Sequence, residues 1–139
     1  MSMSMSIGPS VRMELEQLLS ESFAWVDHGE ADRVPKLCAE GFVLHAPGTE
    51  LDLEQFAQVM TLRVAARHTS RHLWSNLQVL GVDGDAVDIA FVVCVHRREE
   101  GADVTTRMVV DFVDRWARTP DGWCLASRTM TPVFDSTAA

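Results

Sequence analysis

The sequence predicts an α+β fold in which helices come first and pack on one side of a strongly curved, mostly antiparallel sheet. Two observations predict it. Residues 9–67 carry apolar side chains mostly at helical spacing, whereas from residue 70 onward the pattern turns into four long strand-like segments, near 70–82, 86–98, 104–117 and 122–134. The breaks between those segments, "DGD" at 83–85, "REEGAD" at 98–103 and "TPDG" at 119–122, are short and rich in turn formers. Short breaks join neighbouring antiparallel strands, so the order is helix, helix, strand, helix, then a four-strand meander.

The elements follow in chain order. "PSVRMELEQLLSESFAWVDHG" reads as a helix, with Pro9 at its boundary, Ser10 as cap and Gly29 as the break. Its stripe is Leu15, Leu18, Leu19, Phe23 and Val26. "EADRVPKLCAEG" reads as a second, shorter helix closed by Gly41, with Pro35 tolerated in its first turn. "FVLHA" is a short strand ended by Pro47-Gly48. "LDLEQFAQVMTLRVAAR" is a third helix, capped by Asp52, with Leu53, Phe56, Val59, Met60 and Leu62 near one stripe. Arg63, Arg67 and His68 crowd its far end, where cations complement the helix dipole. The opening "MSMSMSIGPS" lacks the basic and apolar regions of a secretory signal. Residues 1–9 and 135–139 are expected to be disordered tails around one domain at 10–134.

Composition removes several function classes. The net charge of −8, from 20 acidic and 12 basic side chains, argues against a nucleic-acid partner, which needs a basic patch, and against an anionic membrane. The longest apolar run, 89–95, is far too short to cross a bilayer. Cys38, Cys94 and Cys124 are widely spaced, with no CxxC motif and no Cys/His cluster. They read as reduced thiols of a cytoplasmic protein. No nucleotide-binding glycine loop and no metal-ligand spacing is present, so no cofactor is expected. The middle strands are apolar on both faces, Phe91, Val93 and Val95 on one and Ala90, Val92 and Cys94 on the other. A sheet with one wet face would alternate. A second copy of the chain is therefore expected to cover the outer face, as a homodimer.

"TSRHLWSN", residues 69–76, poses the functional question. Strand alternation puts His72, Trp74 and Asn76 on one face and Arg71 on the other. A titratable ring, a large aromatic and an amide side by side suggest that this face lines something.

The order of elements and motifs resembles the SnoaL-like domains of the nuclear transport factor 2-like superfamily. The motifs are "DHGEAD" from Asp27 to Asp32; Arg71, His72 and Asn76; and Asp114, Gly122, Trp123 and Arg128. The resemblance covers roughly residues 11–134. The resemblance implies a cone-shaped α+β barrel, its sheet wrapped around an apolar pocket. Members include cyclases, isomerases, dehydratases, epoxide hydrolases, oxygenase subunits and binding domains, so fold alone does not settle function.

Similarity to scytalone dehydratase-like members implies a catalytic set of Asp27, His72 and His96. The tyrosines of those enzymes are missing, because the chain has no Tyr; Val26 and Ala46 stand near their places. The last strand lacks the Asp an epoxide hydrolase of this fold needs, the isomerases' Tyr is absent, and Asp111 is a candidate for a cyclase-type acid/base. A carboxylate on an imidazole fixes its tautomer. His72 would then take a proton from carbon beside a carbonyl and return it to a departing oxygen, with Asn76 or His96 donating to the developing oxyanion.

Asn76, Trp74, Cys94 and Phe112 are the substrate-binding candidates. Plainer readings stand beside these. Asp27 as a solvated helix end, His72 as a core histidine, His96 as an exposed ring near a hairpin and Asn76 as a bulge residue are all open. His28 and His45 read as outside the site, and Asp114 with Arg128 as a structural ion pair. The expected function is binding of a hydrophobic, oxygenated small molecule with cofactor-free acid/base chemistry, dehydration first and isomerisation or cyclisation next. The rivals are a non-catalytic binding protein and a structural subunit of the same fold.

Overall fold

The computed structural model describes residues 7–136. Helix α1 (Pro9–Asp27) leads through a 3-10 segment (Ala31–Leu37) into strand β1 (Cys38–Ala46). Strand β2 (Thr49–Asp52) and helix α2 (Leu53–Ala65) follow. The rest is four long strands, β3 (His68–Asp83), β4 (Ala86–Glu99), β5 (Thr106–Thr119) and β6 (Gly122–Asp135). The expected α+β layout and its four-strand meander are present.

The six strands lie in the order β2-β1-β6-β5-β4-β3. Only β1 and β6 run parallel; every other pair is antiparallel. The outer strands β2 and β3 do not pair, so the sheet is mixed and open, not the closed barrel that the resemblance implies.

Local chemistry explains where the elements differ from expectation. Gly8, not Ser10, caps α1, because Pro9 is preset for the first helical position and needs no N–H partner there. The second helix stops at Leu37 rather than Gly41. Pro35 has no N–H to donate, the segment closes as 3-10 turns, and residues 38–41 join β1. The β2 strand has no apolar alternation to announce it. It forms because Pro47 and Gly48, with Gly48 at φ 70°, fold the chain back so that Thr49 pairs with Ala46. Asp52 does cap α2: its carboxylate accepts the Gln55 N–H at 2.9 Å, and Gln55 Oε1 accepts the Asp52 N–H at 2.9 Å.

The core joins Leu15, Leu19 and Phe23 of α1 to Phe56 and Met60 of α2 and to the inner sheet face, including Phe42, Ile89, Phe91, Val93, Phe112, Trp116 and Leu125. Each such side chain contributes about 1.5–3 kcal/mol by leaving water. The α2 stripe is narrower than expected, since Leu62 is 72% exposed. The opposite face of the sheet carries an apolar row, Leu73–Cys94–Val109–Phe134, one residue from each of four strands.

Of the expected tails, residues 1–6 and 137–139 lie outside the described residues. Ile7 packs against the core, Pro9 opens α1 and Asp135 ends β6. Ser136 is tied to Arg107, accepting its N–H at 2.6 Å and donating to its carbonyl at 3.0 Å. Among the described residues no helix is long and apolar enough to cross a membrane.

Candidate active site

Asp27 is the last residue of α1, and the end of a helix is an unfavourable place for a carboxylate, because the dipole there is negative. No basic residue in the last turn offsets it. Strand β3 does. Asp27 Oδ2 accepts the His72 backbone N–H at 2.7 Å, and Oδ1 accepts the Ser70 hydroxyl at 2.8 Å. Oδ1 also lies 2.6 Å from His72 Nδ1. The two side chains are only 5% and 9% exposed.

Burial pushes the Asp27 carboxyl up, but the bonds and charge from His72 and the Ser70 hydroxyl outweigh it and hold the group below its ordinary 3.8. Asp27 is therefore ionised at neutral pH and only accepts. It follows that the proton on its bond to His72 sits on Nδ1, leaving Nε2 as the basic nitrogen. Phe23 stacks on the imidazole at 5.5 Å, with 12° between the planes.

His72 lies on the wall of a cavity of about 490 Å³ between the two helices and the inner sheet face. Apolar side chains supply most of the wall, among them Phe23, Val26, Phe56, Met60, Val95, Val110 and Phe112. This size and lining suit a small organic ligand. Arg63, Arg97, Arg107 and Arg128 also line it. Arg128 is clamped by Asp114 through two 2.8 Å bonds, with Asp114 fully buried and also accepting from Trp116 Nε1. The guanidinium sits 5.1 Å from the Phe112 ring centre and 5.5 Å from that of Phe23. Asp114 and Arg128 thus form the expected ion pair, and Arg128 reaches the cavity as well. Cys38 is half-buried nearby, and its desolvation pushes the thiol up to about 12.

The structure brings together Asp27, His72 and Phe112 and separates them from the other candidates. His96 pairs across the sheet with Arg71 and Arg107, one residue along from Val95, and so faces away from His72. Cys94 shares that outer face, next to Leu73. Asp111 is exposed there too. Asn76 is displaced by a bulge. It has φ 59°, the β3–β4 register shifts between Ser75 and Gln78, and its side chain is exposed instead of following His72 and Trp74. Trp74 does share the inner face, but it packs edge-on to Phe91 and donates to Ser20 Oγ at 3.0 Å, outside the cavity lining. His28 is exposed, and His45 lies 3.7 Å from Glu50.

Sequence reading missed Arg63 and Arg97. Both had a signal. Arg63 follows Phe56 and Met60 on one helical face at i, i+4, i+7, and Arg97 is two residues beyond Val95 on one strand face. Among the described residues no group of three or more His, Cys, Asp or Glu is placed to hold a metal ion.

Residues 10–129 match the SnoaL-like domain family, and the chain belongs to it. No curated protein matches it in sequence. Solved structures share its fold at low identity. A provisionally assigned scytalone dehydratase from Novosphingobium aromaticivorans superposes with a TM-score of 0.85 at 12% identity, over 94% of this chain and 89% of that one. Hexachlorocyclohexane dehydrochlorinase LinA-type3 from Novosphingobium barchaimii gives 0.76 at 14%, over 91% and 89%. The beta subunit of a provisionally assigned aromatic-ring-hydroxylating dioxygenase from N. aromaticivorans gives 0.77 at 18%, over 90% of each chain.

Proposed function

We propose that the protein binds a hydrophobic, oxygenated small molecule in this cavity and eliminates water from it by acid/base chemistry at His72, with Asp27 as orienting partner. The observation that carries this reading is the 2.6 Å contact from Asp27 to His72, whose ring lies on the cavity wall. Nε2 takes a proton from the carbon next to a carbonyl. The electron pair forms the enolate, and Arg128 offers positive charge to its oxygen in place of the absent tyrosines. The enolate then expels the β-hydroxyl, which leaves as water with the proton His72 had taken. Asp27 holds the ring and stabilises its cationic form between the two transfers. Isomerisation and cyclisation share the enolate step and stay within the reading. The two similar enzymes named above are described as a dehydratase and a dehydrochlorinase, which accords with elimination.

The test uses 3-hydroxy-1-tetralone, a β-hydroxy ketone whose dehydration gives 1-naphthol. Wild-type protein is expected to form naphthol, and His72→Gln to lose about 10²–10⁴-fold in rate. Binding without turnover by wild type supports the rival reading, a binding protein, which the absence of any Tyr favours.

We also propose a homodimer through the outer sheet face, where the Leu73–Cys94–Val109–Phe134 row leaves Leu73 59% and Phe134 69% exposed.

A further inference from the structure

Positive charge is gathered at the cavity out of proportion to the chain. The protein carries 20 acidic and 12 basic side chains. Four arginines line the cavity, and no Asp or Glu among the described residues does. Arg128 is neutralised by Asp114, and Arg97 Nε bonds Glu99 at 2.8 Å. Arg63 has no ion pair among the described residues, and its Nε is buried without a hydrogen-bond partner. The other buried side-chain nitrogen without a partner is His68 Nδ1, which feels the charges of both Arg97 and Arg63. His68 is not part of the cavity lining, so the orphaned polar atom at the cavity is Arg63 Nε. Leaving such a donor unpaired is costly, and a natural structure that does so at a cavity is short of an acceptor there.

The geometry points to a ligand that bears an anionic oxygen group, a carboxylate or an ionised enol, held between Arg63 and Arg97. This rests on the reading of the cavity as a small-molecule site and names the charge class of the molecule. Arg97 pairs with Ser70, and Val95 pairs with His72, so Arg97 stands one pleat from the imidazole, roughly 7 Å along the strand. An anion bound there leaves the apolar body of the ligand over Phe112, Val110 and Met60, within reach of His72 Nε2. The charges facing Arg63 are Asp27, which favours its cation, and Arg97, which opposes it. Burial opposes it further and is the largest effect. Glu99 satisfies Arg97 only on a half-exposed surface, where ion pairs are weak. A ligand oxyanion relieves the repulsion between the two arginines and satisfies the orphaned Nε.

Calorimetric titration with naphthalene-2-carboxylate and naphthalene-2-carboxamide tests this, since the two differ in charge and hardly in shape. The carboxylate is expected to bind at least about tenfold more tightly to wild type. Arg63→Gln should bring the two affinities close together, the carboxylate's falling by much more than the amide's. Arg97→Gln should reduce the preference in part, and Arg63→Lys should restore some of it. Equal affinities in wild type, or a preference that survives both glutamine substitutions, overturn the inference and leave the cavity reading standing. Failure of both probes to bind overturns the cavity reading and the inference together.

Discussion

Phe23 and Asp27 stand four residues apart on α1, and both touch the same imidazole, Phe23 on its face and Asp27 at Nδ1. Residues at this spacing share one helical face, so a single turn of helix supplies the shelf and the anchor of His72. Phe23→Leu keeps most of the apolar volume but removes the flat shelf. The expected result is a fall of about tenfold in kcat for naphthol formation with little change in KM, at a stability cost under about 1.5 kcal/mol. Steady-state kinetics and a thermal melt check the two halves.

The Asp27 carboxyl gives a pH signature. Its folded value lies below the ordinary 3.8 that the unfolded chain approaches. The unfolded state therefore binds more protons in that interval. The carboxylate's contribution to stability is full above 3.8 and is lost as the pH falls through the folded value. Carbon-13 NMR of the side chain should place it below 3.8 in wild type and higher in His72→Gln. An unchanged value in the variant removes the dyad.

The Asp114–Arg128 pair should be costly to break and cheap to replace. Asp114→Asn strands a guanidinium whose side chain is 7% exposed, with an expected loss of about 3–5 kcal/mol. Asp114→Leu combined with Arg128→Met removes both charges and should recover most of that stability, as read by urea denaturation. The double variant should still lose elimination activity, because the cavity loses Arg128, the cation proposed to face the enolate oxygen.

Asn76 should matter for the strand and not for the ligand. At φ 59° it occupies backbone space that most side chains avoid. Asn76→Ala is expected to cost about 1 kcal/mol in chemical denaturation and Asn76→Gly to be neutral, while both bind naphthalene-2-carboxylate as wild type does.

The outer row predicts an oligomeric state. Wild type should sediment as a dimer, and Leu73→Asp with Phe134→Asp should sediment as a monomer with an intact fold. A wild-type monomer at tens of micromolar would sink the dimer.

Much of this was legible in the sequence, for reasons that differ from element to element. The long strands and the Asp52 cap rest on local rules, alternation, turns and capping, that a short window contains. Asp27 and His72 came from spacing in a family pattern, and their contact joins residues 45 apart. His96 and Asn76 failed on parity. For His96, one residue's displacement from Val95 decides which face it takes. For Asn76, a bulge between Ser75 and Gln78 reset the alternation after Trp74. Neither the bulge nor the parallel pairing of β1 with β6 leaves a mark in a local window. The arginines were visible as residues, but the charge of the chain as a whole hid how they gather at one wall.

The three bonds from Asp27 to Ser70 and His72 join the end of the first helix to the first long strand across 43 and 45 residues. The imidazole proposed to carry the reaction is thus also a clasp. An incompletely folded chain presents a histidine with no fixed tautomer, no shelf and no cavity, so the proposed chemistry would start only when helix and sheet have docked. If the proposed reaction holds, evolution acting on this pair tunes assembly and turnover together.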